Sequence, residues 1–196
     1  MKKIGYLLLM LLFVVSCGKK TEEKSTTSES NGEKTYKIGI TQIVSHPVLD
    51  STRQGFEDAF KEAGLKVEFD EQNAQGEIPT ANVIANKFVT DKVDLIFSIA
   101  TPTTQAVVNA TSTIPVVFSA VTDPQSAGLL KENVTGSSDR VDNVGEQLDI
   151  LKELNPNAKT IGILFSSSEQ NSITQVEAIK KVAAEKGIEV VEQSVT

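Results

Sequence analysis

The sequence predicts an α/β protein built on parallel sheet. Three observations carry this. Strand-like and helix-like runs alternate along the chain from Tyr36 onward. Two of the strand-like runs, Asp94–Ala100 and Ile114–Val121, are apolar on both faces, as strands covered on both sides by helices must be. The runs between strands place apolar residues at helical rather than alternating spacing. Repeated units of this kind close as parallel sheet with right-handed crossovers.

The elements follow in order. Tyr36–Thr41 (YKIGIT) reads as a short strand. Val48, Leu49, Thr52, Phe56, Ala59, Phe60 and Ala63 share one helical face, so Pro47 to Ala63 reads as an amphipathic helix. Pro47 suits its first turn and Gly64 its C′ position. Lys66–Glu71 is a second strand. Ala81, Ile84, Ala85, Phe88 and Val89 form a second helical face. Asp94–Ala100 is a third, central strand, Thr103–Ala110 a short helix and Ile114–Val121 a fourth, buried strand. Thr122 to Arg140 is looser and reads as a passage between two sheets. Val144, Leu148, Leu151 and Leu154 then mark a helix stopped by Asn155-Pro156. Thr160–Ser166 is a strand, and Ile173, Val176, Ile179, Val182 and Ala183 form a helical face closed by Gly187. Ile188–Val195 is the last strand. The reading gives a signal segment at 1–16, a tether at 17–35, a first lobe at 36–125, a crossover at 126–140 and a partial second lobe at 141–196.

The N-terminus reads as an export signal. Lys2 and Lys3 precede a nearly all-apolar stretch from Ile4 to Val15, short for a bilayer span. Val14-Val15-Ser16-Cys17 has the form of a lipobox, and Cys17 is the one cysteine. The expectation is an extracytoplasmic lipoprotein held to a membrane by an acyl chain on Cys17. Residues 18–34 hold no large apolar group and read as a flexible tether. Loss of residues 1–16 removes Lys2 and Lys3 from the 19 basic residues, leaving 17 against 26 acidic ones, a charge of −9. Such a chain lacks the basic clusters that nucleic acid demands.

Ligands of open parallel sheets gather beyond the carboxyl ends of strands. Those ends carry Thr41-Gln42-Ile43-Val44-Ser45-His46, Ala100-Thr101-Pro102-Thr103, Ser119-Ala120-Val121-Thr122-Asp123 and Ser166-Ser167-Ser168-Glu169-Gln170-Asn171, all rich in hydroxyls and amides. Thr101 as N-cap with Pro102 at N1 would start a helix at a strand end, a place that favours a carboxylate; plain capping accounts for Thr101 equally. Ser167-x-x-Gln170 fits a capping box, leaving Glu169 and Asn171 over. His46 reads as a surface or capping residue, Asp50 as a first-turn charge suited to the helix dipole, and Asp123 as a turn residue. There is no nucleophile elbow, phosphate loop or dinucleotide fingerprint. One histidine and one cysteine leave few metal ligands. The pattern favours binding over catalysis, with no cofactor and no metal.

IGITQIVSHPVLDSTRQGFEDAF, NAQGEIPTANVIANKFVTDKVDLIFSIATPTTQA, IPVVFSAVTDP, NAKTIGILFSSSEQNS and GIEVVE resemble, in order and spacing, the aromatic amino-acid type of ABC transporter substrate-binding lipoprotein. The resemblance covers Lys37 to Thr196. It implies the type I periplasmic-binding-protein fold, two doubly wound parallel-sheet lobes with a ligand between them and a membrane permease as partner. Carried over by motif, it implies Thr41, Gln42, Ala100, Thr101, Thr103, Ser119 and Asp123 as ligand-binding residues of the first lobe. Ser167, Ser168, Glu169 and Asn171 follow from the second. Helix N-termini and hydroxyls would hold the ligand carboxylate, and Glu169 its ammonium. Family members continue through further βα units, so the second lobe is expected to be incomplete, with an open strand edge and apolar faces, and this chain alone to bind weakly or not at all. Two other functions fit the residues: a ligand sensor for a membrane receptor, and a lipid-anchored α/β enzyme that would need turnover through Glu169 or His46.

Overall fold

The computed structural model describes residues 34–195. The signal segment, Cys17 and all of the tether before Lys34 lie outside them. In chain order the elements are β1 (Tyr36–Gln42), α1 (Pro47–Glu62), β2 (Val67–Asn73), α2 (Ile78–Thr90), β3 (Leu95–Ile99), α3 (Thr101–Ala110), β4 (Val116–Val121), β5 (Val134–Ser138), α4 (Val144–Leu154), β6 (Thr160–Ser166), α5 (Gln170–Glu185) and β7 (Glu189–Val195). They build a five-stranded sheet in the order β2-β1-β3-β4-β5 and a two-stranded sheet β6-β7. Every strand pair is parallel.

The first sheet is a sandwich between helices. One face of β1 and β3 presents Ile38, Ile40, Phe97 and Ile99, packed against Leu49, Phe56 and Phe60 of α1. Phe56 lies flat on Phe97, with centroids 3.9 Å apart and planes 6° from parallel, and meets Phe60 edge-on at 5.0 Å. The helical face read from sequence in α1 is thus the face that docks. The other side of the sheet carries Ile96 and Val116 against Ala81, Ile84, Ala85 and Phe88 of α2 and Ala106 and Val107 of α3. Ile96 and Ile99 are fully buried on opposite faces of β3, which confirms its central position. In the second sheet, Leu148 of α4 and Ala183 of α5 pack with Ile188, Ile161 and Val190. The opposite face of that sheet holds Leu164, Val191 and Val195, all exposed.

The first sheet has five strands where the sequence showed four. The extra strand, β5, is VTGSS, within the stretch read as a loose passage. Only Val134 contributes apolar surface, so no alternation marks it. Backbone pairing with β4 holds it instead, from Val116↔Val134 to Val121↔Ser138. The register shifts between Phe118 and Val121, where Ala120 adopts φ +55°. That is a β-bulge, which twists the end of β4 out of line.

Helix ends correct two expectations. Thr101 is not the N-cap of α3; Ala100 is, and Thr101 is the first helical residue. The N-cap of α5 is Glu169, not Ser167. The Ser167 hydroxyl instead donates to the Val195 carbonyl at 3.2 Å, tying the β6 end to β7. The His46 expectation holds: its Nδ1 accepts the Val48 N–H of α1 at 3.3 Å. Gly64 and Gly187, at φ +66° and +64°, end α1 and α5 at C′ as expected.

Gly39 sets how closely α2 approaches β1. A Cβ there would stand 2.8 Å from the Phe88 ring. Phe88 is wholly buried and has nowhere to retreat. Gly39→Ala is therefore expected to destabilise the protein by about 1–3 kcal/mol through overpacking, read from urea unfolding. The double variant with Phe88→Leu is expected to recover part of the loss. An unchanged midpoint for Gly39→Ala would contradict the packing described.

Candidate functional site

The strand order 2-1-3-4-5 reverses at β1. From β1 the chain runs outward to β2, then returns past β1 to β3. Connections therefore leave β1 and β3 on opposite faces, and a crevice opens between their carboxyl ends. Gln42 pairs with Ile99, the last residue of β3, so Gln42 and Ala100-Thr101 flank that crevice.

At the β1 end, Thr41 and Gln42 are 1% and 5% exposed. The Gln42 amide is fixed. Its Nε2 donates to Asp50 Oδ1 at 2.7 Å and to the Val44 carbonyl at 3.1 Å. Both N–H groups are engaged, and a flipped amide would set its oxygen against two acceptors. Hydrogen bonds from Gln42, and then from the Ser45 hydroxyl at 3.0 Å, hold the Asp50 carboxyl below the usual carboxylate range. Asp50 thus stays an acceptor at neutral pH. The sequence had offered a helix-dipole role for it; the signal missed was an acid one turn into the helix that follows a strand-end amide.

At the β3 end, the backbone turns sharply. Ala100 sits at φ +82°, ψ 157°, a region that residues other than glycine rarely enter. Its carbonyl collects donors from Thr104 N–H at 3.2 Å, Thr103 Oγ1 at 3.0 Å and Thr104 Oγ1 at 2.8 Å. Its own N–H donates to the Ser119 carbonyl at 3.0 Å. The kink points the start of α3 at the crevice. First-turn N–H groups have no acceptor within a helix, and the dipole there favours an anion. Thr103 lies fully buried, with its hydroxyl also 2.6 Å from the Ile99 carbonyl, so that hydroxyl is committed to the turn. Beneath the turn, Ser98 and Thr104 share a buried hydroxyl contact of 2.9 Å.

The remaining strand ends differ in what they leave free. Ser119 pairs its hydroxyl with Ser137 of β5 at 3.1 Å. Asp123 accepts the Gln125 and Ser126 N–H groups, each at 3.0 Å, and pairs with Arg140 at 3.1 Å, the turn role the sequence favoured. In the β6–α5 loop, Ser168 contacts Ser166 at 3.0 Å and faces Pro102 and Gln105 of α3 across a groove of about 420 Å³. Asn171 Nδ2 donates to Glu169 Oε2 at 3.4 Å. The start of α5 meets the β4–β5 loop through Ser126–Thr174 at 3.1 Å and through Gln175, which donates to Thr122 Oγ1 at 3.4 Å.

Among the described residues, four side-chain oxygens are buried without a partner: Thr41 Oγ1, Gln42 Oε1, Thr101 Oγ1 and Asn171 Oδ1. Each such group costs about 1–3 kcal/mol if left unsatisfied. All four belong to strand-end segments named from the sequence. Two are amide oxygens, which only accept; two are hydroxyls, which accept or donate. The amide oxygens suit N–H donors, and the α3 N-terminus suits a negative group. Among the described residues no cluster fit for a metal occurs, and no helix is long and apolar enough to cross a membrane.

The profile of the ABC transporter substrate binding protein family matches residues 37–196. A tyrosine-binding protein of Clostridioides difficile is 39% identical over 202 residues, covering 98% of this chain and 58% of its own length. The crystal structure of an ABC domain in complex with L-Trp, from Streptococcus pneumoniae, matches at TM-score 0.77 and 40% identity, covering 83% of this chain and 58% of that one. A ligand-free, open substrate binding protein with adhesive properties, from Clostridium difficile, matches at TM-score 0.60 and 48% identity, over 82% and 58%. The chain thus spans about 58% of the length of each of these relatives. Periplasmic binding proteins of lower identity share the type I fold. The relatives are solute-binding proteins, not enzymes.

The Ala100 kink makes a direct prediction. Backbone strain of this kind costs of order 1–3 kcal/mol, and glycine returns about 0.5–1 kcal/mol of that in chain entropy. Ala100→Gly is expected to raise the unfolding free energy by about 1 kcal/mol, a rise of about 2–4 °C in Tm for a chain of this size. Ala100→Val is expected to lower it. Loss of stability in Ala100→Gly would show that the turn carries no strain.

Proposed function

We propose that this chain, which belongs to the ABC transporter substrate-binding protein family, captures an aromatic amino acid between its two sheets outside the cytoplasmic membrane and hands it to a membrane permease for import. The observation that carries the reading is the set of four buried, unpartnered oxygens at the carboxyl ends of the strands. An α-amino acid meets both halves of that chemistry. Its carboxylate suits the N–H groups opening α3, beside Ala100, Thr101 and Thr103. Its ammonium, a triple donor, suits Gln42 Oε1 and Asn171 Oδ1, with the Glu169 carboxylate alongside. Ser119, Asp123, Ser167 and Ser168 line the approach rather than the centre.

The lobes in this reading are residues 36–125 and 141–196, with the crossover at 126–140 contributing β5. The L-Trp complex and the tyrosine-binding relative support the ligand class. The better match to the ligand-bound relative than to the open one, 0.77 against 0.60, supports sheets that stand in a closed arrangement. The reading also includes an acyl anchor on Cys17 after removal of residues 1–16.

Thermal unfolding of the protein with tryptophan, tyrosine, phenylalanine, leucine and 4-hydroxybenzoate tests the ligand class. The midpoint is expected to rise with concentration for the aromatic amino acids and to stay fixed for the other two. A rise with 4-hydroxybenzoate and none with the amino acids would overturn the reading. The anchor has its own test. Labelled palmitate is expected to enter the protein made in a bacterial host and to be absent from Cys17→Ala; equal labelling of both would contradict it.

A further inference from the structure

We infer that Asp50 is a positioning residue that locks the Gln42 carboxamide with its oxygen toward the ligand, and so makes the site select for solutes bearing a cationic nitrogen. This deepens the amino-acid reading above and rests on it.

The geometry is specific. Gln42 closes β1, and Asp50 stands one turn into α1, eight residues on. Asp50 Oδ1 takes one Nε2 proton at 2.7 Å, and the Val44 carbonyl takes the other at 3.1 Å. The second carboxylate oxygen, Oδ2, accepts from Ser45 at 3.0 Å, which fixes the carboxylate itself. Capping of α1 falls to His46, not Asp50. What remains of the Gln42 side chain is Oε1, buried and without a partner. A carboxylate has no proton to offer, so it cannot tolerate the flipped amide. The lowered pKa of Asp50 agrees, because the hydrogen bond from Gln42 is its largest cause.

The same device recurs at α5. Asn171 Nδ2 donates to Glu169, and Asn171 Oδ1 is left buried and free. Two carboxamides, Gln42 at the end of β1 and Asn171 in the first turn of α5, are thus oriented by acidic neighbours so that each presents an acceptor. Two fixed acceptors reward a donor ligand. They penalise one that brings only acceptors, because such a ligand would leave both oxygens buried and unpaired. An aromatic acid lacking the α-amino group is the discriminating probe.

The test has two arms. In the ligand-free protein, the Gln42 Nε2 protons, assigned by their loss in Gln42→Leu, are expected to exchange slowly with solvent in wild type and fast in Asp50→Ala. Fast exchange in wild type would overturn the positioning role whatever the protein binds. The second arm titrates L-phenylalanine and 3-phenylpropionate into wild type, Asp50→Ala and Asp50→Asn. Asp50→Ala is expected to weaken phenylalanine about tenfold while moving 3-phenylpropionate less than about twofold. Asp50→Asn keeps an acceptor for Nε2 and is expected to return phenylalanine to within about threefold of wild type. Equal weakening of both probes in Asp50→Ala would reduce Asp50 to a fold residue and overturn the inference. Slow exchange in wild type with no binding of either probe would overturn the amino-acid reading and the selectivity with it, while the locked amide would stand.

Discussion

The reversal of strand order at β1 governs the rest of the structure. The chain moves from β1 outward to β2 and then back past it to β3. Right-handed crossovers then force α1 onto one face and α2 and α3 onto the other. The aromatic cluster around Phe56 and Phe97 and the aliphatic cluster around Phe88 and Ile96 are the two consequences. So is the crevice between Gln42 and Ala100, because no helix crosses the ends of both strands from the same side. The site is a by-product of topology before it is a matter of particular side chains.

The side chains then work against local comfort. Ala100 accepts a backbone conformation suited to glycine, and β4 bulges at Ala120 beside it. Thr103, Thr104 and Ser98 knit the resulting turn together, with their hydroxyls directed at the Ala100 carbonyl or at one another. Among the described residues, four oxygens remain buried without a protein partner. A fold optimised only for stability would eliminate such features, since strain and unsatisfied polar groups each cost of order 1–3 kcal/mol. Their concentration at strand ends is what the proposed binding site rests on.

Much of this was legible in the sequence, and for definable reasons. The helical faces of α1 and α2 stood out because Phe56, Phe60, Ile84 and Phe88 recur at helical spacing over several turns. β3 declared itself central because Leu95 to Ile99 is apolar on both faces. β5 was invisible: VTGSS has one apolar residue, and only its backbone pairing with β4 makes it a strand. The caps of α3 and α5 were misplaced by one and two residues, because Thr101 and Ser167 are good capping types whose hydroxyls are elsewhere in the fold. Thr41, Gln42, Thr101 and Asn171 could be named from their place at strand ends. The role of Asp50 could not, since a first-turn acid is explained by the helix dipole and its pairing with Gln42 exists only once α1 folds back on β1.

The central claim is that a small solute is held at the carboxyl ends of β1 and β3 by the unpartnered oxygens. Mapping chemical-shift changes across the backbone and side-chain amides during addition of L-tryptophan tests it most directly. The account predicts that the largest changes fall on Thr41, Gln42, Thr101 and Asn171. Changes confined to the cavity of about 470 Å³ beside Val141, Val144 and Ile179 would place the solute between α4 and α5 and contradict it.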